Sequence, residues 1–203
     1  MPDRLILSFD TAATHCAVAL VGGADVRAVL HEHMARGQAE ELFPLIERVL
    51  HDAGTDFAAL NAIAVGIGPG NFTGIRISVA AARGLAMSLG IPAVGVTTLE
   101  AVAEGINGPC LACVDARRGM AYLQGFGGAA PGAPTLLDLD ALPAELATGN
   151  ISCVGPVADH VAALLGGIAV PSPYPLAVAM ARVATRRLAD GSGIDAPAPL
   201  YLR

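Results

Sequence analysis

Apolar residues open the chain in three short runs, over residues 5–9, 16–21 and 26–33, broken by Asp10-Thr11-Ala12-Ala13-Thr14 and by Gly22-Gly23-Ala24-Asp25. Short runs joined by turn chemistry predict an antiparallel meander of three strands. Leu42, Leu45, Ile46, Val49 and Leu50 then recur at helical spacing, with Gly54 where a C-terminal cap belongs. Pro44 lies early in that pattern and requires either a start near Glu41 or a kink one turn in. Residues 62–66 read as a fully apolar strand and Gly68-Pro69-Gly70-Asn71-Phe72 as a tight loop. Thr73 suits the N-cap of a helix over 74–89, closed by Gly90 and stopped by Pro92. Residues 93–96 give another strand, and Thr97-x-x-Glu100 fits the capping box of a helix through about residue 104. The order β-β-β-α-β-α-β-α predicts a mixed sheet with helical crossovers.

Gly105-Ile106-Asn107-Gly108 reads as a boundary, which divides the chain into sub-domains 1–107 and 108–203. Beyond it, residues 110–115 and 120–126 flank Ala116-Arg117-Arg118-Gly119 as a hairpin, followed by a Gly/Ala/Pro loop over 127–134. A strand at 151–154, a helix near 158–165 and a helix over 175–188 complete a looser α/β part. No internal repeat, charge block or heptad array is visible in the sequence.

Composition sharpens this picture in three ways. Hydrophobic residues make up 54% of the 203 positions and charged residues 15%, and with 24 glycines the core must be built largely from small side chains. Despite that hydrophobicity, Gly, Pro or charge interrupts every apolar run short of the roughly 20 residues a spanning helix needs. Residues 1–4 lack the features of a signal peptide, so a cytoplasmic, membrane-free setting is expected. The net charge is −6, from 12 basic residues, all arginine, against 18 acidic ones. Phosphate neutralisation supplies most non-specific affinity for nucleic acids, so an acidic chain of this kind needs another molecule to hold one.

Candidate chemistry concentrates in residues 66–74. The loop is not a Walker A element, because Ile75-Arg76 stands where Lys-Ser/Thr should, and it lacks the third glycine and the acidic residue of a dinucleotide fingerprint. What remains is a Gly/Pro turn aiming backbone N–H groups at one spot, which suits an anion or simply turns a strand into a helix in little space. Asp10-Thr11 fits a phosphate- or metal-facing carboxylate of a kinase-like fold, or ordinary turn chemistry. Asp10, Thr11, Gly68, Gly70 and Thr73 are therefore the candidate phosphate contacts. In the following helix Gly74, Ser78, Ala82 and Ala86 form one row of small residues and Ala80, Gly84 and Ser88 another, with Arg76 and Arg83 seven apart. Such rows admit a second backbone, either this chain's own sheet or a partner helix, and Gly84 needs a packing reason because an interior Gly costs about 1 kcal/mol against Ala.

Other features are thinner. Cys110-x-x-Cys113 has no second ligand pair, and the surrounding apolar residues read as a strand with buried, reduced thiols, as do Cys16 and Cys153. His31-x-His33 puts two imidazoles on one strand face with no third ligand in view, so both are expected to be exposed. Glu100 belongs to the capping box, and Ser152 and Ser172 lack a nucleophile elbow. No catalytic residue and no metal ligand is assigned.

Several segments together resemble the TsaB (YeaZ) family: LILSFDTA at 5–12, GIGPGNFTGIR at 66–76, GLA at 84–86, GIP at 90–92, GVTTLEA at 95–101, DARRG at 115–119 with Tyr122, and the closing YLR at 201–203. The resemblance implies an α/β fold of the actin/hexokinase-like (ribonuclease H-like) kind, halved in size, with mixed sheets, crossover helices and two sub-domains. It also implies paralogy to the TsaD transferase, whose metal-binding His-x-x-x-His corresponds here to Thr98 and Val102, neither able to replace an imidazole. The implied role is a non-catalytic subunit that dimerises with TsaD and acts with the TsaE ATPase. The complex adds a threonylcarbamoyl group to the adenosine 3′ of the anticodon in tRNAs reading codons that begin with A. A homodimer is expected without TsaD, tRNA is met only through the complex, and no cofactor is tightly bound, though ATP or ADP can sit at the partner interface. That interface is expected to use Gly74, Arg76, Ser78, Ala80, Ala82, Arg83 and Gly84 with Leu42, Leu45 and Ile46. Gln38 and Ala39, Asn71 and Met120 depart from the family pattern. The rival readings are a stand-alone nucleotide hydrolase or peptidase of the same fold, and a homodimeric module with an unrelated partner.

Overall fold

The structure, a computed structural model, describes residues 4–146, 150–192 and 195–202. Residues 1–3 and Arg203 of the closing motif lie outside the described residues. The predicted meander forms as β1 (Leu5–Asp10), β2 (His15–Gly22) and β3 (Asp25–His33), paired antiparallel in sequence order. Crossovers through α1 (Gln38–Asp52) and α2 (Phe72–Leu89) add β4 (Ala62–Gly66) and β5 (Ala93–Val96), both parallel to β1. The resulting sheet has the order β3-β2-β1-β4-β5.

Alternation along the central strands sends side chains to two different coverings. Leu7, Phe9, Cys16, Val18, Leu20, Ile63 and Val65 meet the apolar face of α1 (Leu42, Leu45, Ile46, Val49, Leu50) and Ala82 of α2. Pro44 lies within α1, which starts at Gln38, three residues before the start near Glu41 that was one of the two outcomes expected for it. The opposite face is covered by α5 (Leu176–Asp190), whose Ala177 carbonyl accepts the buried Ser8 hydroxyl at 2.7 Å. This differs from the sequence partition at residue 108, which grouped residues 175–188 with the C-terminal half. Compact unit 1 comprises Met1–Thr97 and Pro175–Leu200. The reason is hydrophobic: residues 177–181 are all buried, an apolar belt that the Ala/Gly-rich back of β1, β2 and β4 accepts at close range.

The second unit, Thr98–Tyr174 with Tyr201–Arg203, has its own sheet. It consists of α3 (Thr98–Ala103), β6 (Cys110–Arg117), β7 (Met120–Phe126), β8 (Thr135–Asp138), β9 (Ser152–Val154), α4 (Ala158–Leu165) and β10 (Ile168–Val170). Its order, β8-β7-β6-β9-β10, with three antiparallel strands followed by two parallel ones, repeats that of the first sheet. The hairpin and α4 match the sequence reading, while β8 and β10 were not anticipated. Met120, one of the departures from the family pattern, opens β7 opposite Arg117 and Asp138. Removing the side chain that seats α5 should show where that helix belongs. Met180→Ala is expected to lower stability by about 2–5 kcal/mol, because a fully buried side chain is lost. Urea unfolding followed by circular dichroism would measure it, and an unchanged midpoint would contradict the packing.

Candidate functional site

The C-terminal ends of β1 and β4 bring the two loops picked out in the sequence, residues 10–14 and 66–74, against each other. Their approach is closer than side chains allow. A Cβ at Gly74 would collide with the Thr11 carbonyl, one at Gly70 with the Ala12 carbonyl, and one at Gly66 with the Asp10 carboxyl. Hydrogen bonds then lock the junction: the Asn71 amide donates to the Ala12 carbonyl at 2.6 Å, and the Thr11 hydroxyl donates to the Gly74 carbonyl at 2.7 Å. Gly68 holds φ of +92°, a conformation open to glycine, and faces the Ile75 side chain. Ser78 is buried at the same joint, its hydroxyl 3.2 Å from the Gly66 carbonyl.

Helix α2 begins at Phe72, two residues before the expected start, and its N-cap is Asn71 in place of Thr73. Asn71 reaches forward to accept both the Thr73 and the Gly74 amides at 3.0 Å, so a side chain that departs from the family pattern supplies the cap. Those are the amides an anion at this helix end would use. Asp10 is turned inward as well. It is 1% exposed, and its Oδ1 accepts the Ala12 amide at 3.0 Å and lies 2.7 Å from His15 Nε2. Its Oδ2 has no hydrogen-bond partner among the described residues and sits over Gly66. The five candidate phosphate contacts are thus neighbours, but Asp10 and Thr11 are buried, and the Asn71, Thr73 and Gly74 amides are already engaged by the protein.

The helix rows separate cleanly. Gly74, Ser78 and Ala82 are buried in the chain's own core, as are Leu42, Leu45 and Ile46 of α1, so these six expected interface residues have an internal packing partner. Arg76, Ala80, Arg83 and Gly84 are exposed, and they align with Phe72 (52% exposed) and Met87 (84% exposed) along one side of α2. The Arg76 guanidinium stacks 3.8 Å above the Phe72 ring. A Cβ at Gly84 would meet nothing within 4 Å, so no intrachain contact explains that glycine. On α1 the outward positions include Phe43, Glu47 and Arg48, which the sequence reading passed over because they interrupt its apolar spacing.

Gln38, another departure, ties loop 10–14 to the start of α1, its Nε2 donating to the carbonyls of Ala13 at 3.3 Å and Met34 at 3.2 Å. Ala39, beside it, is exposed in the first turn of α1. In the second unit, Thr98 and Val102 lie on α3, with Val102 buried. All four cysteines are buried and unpaired. Burial, reinforced by Asp10, Glu41 and Glu32, pushes the Cys16 thiol up to about 12, and a hydrogen bond with Cys153 together with burial keeps Cys113 protonated.

Two mixed five-stranded sheets of identical order, with crossovers through α1 and α2 in the first and through α4 in the second, define a protein of the actin-like α/β class. YeaZ from Pseudomonas aeruginosa superposes with a TM-score of 0.79 over 98% of this chain and 100% of that one, at 25% identity. Residues 26–176 match the family model described as TsaD: tRNA N6-adenosine threonylcarbamoyltransferase. The chain is 40% identical over 122 residues to the tRNA threonylcarbamoyladenosine biosynthesis protein TsaB of Escherichia coli, an alignment spanning 58% of this chain and 52% of that protein. It is 33% identical over 187 residues to the uncharacterized protein Rv3421c of Mycobacterium tuberculosis, covering 84% of this chain and 88% of that one. The chain belongs to the TsaB (YeaZ) family.

The joint makes two substitutions informative. Asn71→Ala removes the cap and should cost about 0.5–2 kcal/mol. Gly74→Ala drives a methyl group into the Thr11 carbonyl, for which overpacking of about 1–3 kcal/mol is a lower bound. Thermal unfolding of both variants should rank Gly74→Ala as the more damaging, and the reverse order would mean that the loops are not in backbone contact.

Proposed function

We propose that this chain is a non-catalytic, cytoplasmic partner subunit in the formation of threonylcarbamoyladenosine in tRNA, pairing with TsaD and acting alongside the TsaE ATPase. The observation that carries the reading is the outward side of α2. Phe72, Arg76, Ala80, Arg83, Gly84 and Met87 form a small-and-apolar stripe on the surface of unit 1, with a glycine that weakens the helix and packs against nothing in the chain. Beside it, Arg83, Gly84, Met87 and Pro197 line an open groove of about 550 Å³. A mid-helix glycine in open space is a standing cost of about 1 kcal/mol, which a partner backbone approaching at that point offsets.

Three further features agree. Thr98 and Val102 offer no metal-binding imidazole at the positions that match the transferase motif. The net charge of −6 without lysine suits a subunit that leaves the tRNA to its partner. Any ATP or ADP at the partner interface would take its phosphate contacts from the partner, because the Thr73 and Gly74 amides are bonded to Asn71. The same engagement of donors argues against a stand-alone hydrolase built on Asp10 and this loop.

The stripe predicts opposite signs for stability and association. Gly84→Ala should stabilise the isolated chain by about 0.5–1 kcal/mol. Ala80→Trp and Gly84→Trp should leave the fold intact and weaken co-purification with the same organism's TsaD tenfold or more, about 1.4 kcal/mol per decade. Ala82→Trp, in the buried row, should instead unfold unit 1. Full TsaD binding by both exposed-row variants would sink the assignment of this surface.

A further inference from the structure

At the Asp10 end of the first sheet the fold assembles three of the chain's five histidines, which the sequence left as a solitary pair. His15 and His33 are direct cross-strand partners on β2 and β3, and His31 lies on the same face of β3 two residues away. The ring centroids of His15 and His31 are 4.8 Å apart and those of His31 and His33 are 5.0 Å apart. His15 is anchored by Asp10 at 2.7 Å. Among the described residues no three donors are placed to hold a metal ion, so the ligand this arrangement suits is the proton.

We propose that protonation of His31, packed between the rings of His15 and His33, loosens the seating of the first turns of α1 and α2 through the neighbouring Asp10–His15 pair as the pH falls below neutrality. Neighbouring imidazoles at 5 Å cannot both gain charge without repulsion. The Asp10 carboxyl makes its histidine hydrogen bond to His15. The strain has a defined route outward. Asp10 Oδ1 also holds the Ala12 amide, the Ala12 carbonyl holds the Asn71 amide, and Asn71 caps α2. On the other side the Thr14 carbonyl accepts the Met34 amide just past β3, and Gln38 bridges Ala13 and Met34 into α1.

The titratable and charged groups around His31 come from four elements. From β1 comes Asp10, and from β2 comes Cys16, its thiol pushed up to about 12. Glu32 of β3 is 3.6 Å from Arg48 of α1, which also contributes Glu41 near Cys16. The part of α5 at this end, residues 176–181, is wholly apolar. His31 is exposed on β3, as expected; partial desolvation, then His15 and His33, lower its pKa, with Asp10 and Glu32 opposing. A histidine whose folded pKa is depressed leaves stability complete above its unfolded pKa of about 6.5 and erodes it as the pH falls through that value.

The test uses the full chain. An NMR titration of its imidazoles from pH 8 to 5 should place the His31 midpoint below about 6.5, with the Asn71 and Thr73 amide shifts following the same midpoint. Between pH 7.5 and 5.5 the thermal midpoint of the wild type should fall about 2–4 °C further than that of His31→Gln. His51→Gln, on the exposed side of α1, should behave as wild type. A His31 midpoint at or above 6.5, silent α2 amides, or a His31→Gln chain as pH-sensitive as wild type would each overturn the proposal. Should His31→Gln fail to fold, the wild-type titration decides the matter by itself.

Discussion

Contact between two backbones, at residues 11–12 and 70–74, fixes where everything else in the first unit can go. It exists only because Gly70 and Gly74 carry no Cβ, and it brings the start of α2 within hydrogen-bonding distance of the turn that ends β1. With α2 pinned there, the Gly74/Ser78/Ala82 row must face the sheet and the Ala80/Gly84 row must face away. The same pinning orders the turn at residues 10–14, from which β3 and α1 take their hydrogen bonds. Interiors are close-packed and transmit strain, so a joint with no slack couples the strand ends to both helices.

That joint also shows how a strand–glycine loop–helix unit with the shape of a phosphate cradle is held by the protein's own groups. A cradle needs unpaired amides at a helix N-terminus and space in front of them. Here the Asn71 side chain stands in for the anion, and the Asp10 carboxyl fills the space over Gly66. The element is held rigidly by these contacts, while the outward side of α2 stays exposed.

The sequence was most legible where local chemistry decides structure. The meander, both crossover strands, α4 and the 110–126 hairpin follow from periodicity and turn residues. Capping was harder: Thr73 and Asn71 are both good caps, and only the loop's path, with the Asn71 amide held by Ala12, selects Asn71. The small-residue rows left an even choice of direction, because Ala and Gly look alike whether they meet a sheet or solvent. The histidine cluster was invisible, since His15 stands opposite His33 only through strand register. The matching order of the two sheets was hidden too. In the second unit short 3₁₀ turns at residues 139–141 and 144–146 follow the meander where the first unit has α1, and half-buried β8 lacks a clear alternation.

The assignment of α5 to the first unit has a consequence for how the protein is made. A chain emerging from the ribosome completes β5 at residue 96, yet the back of its first sheet stays bare until residues 176–190 have followed. Ser8 and the small residues around it wait through the synthesis of the entire second unit, whose sheet lies wholly within residues 110–170. Domains generally fold as units and N-terminal ones first, but this one cannot. The sheet of the second unit is therefore the first that can finish, and the exposed back of the early sheet is the surface on which a nascent-chain chaperone would have most to protect.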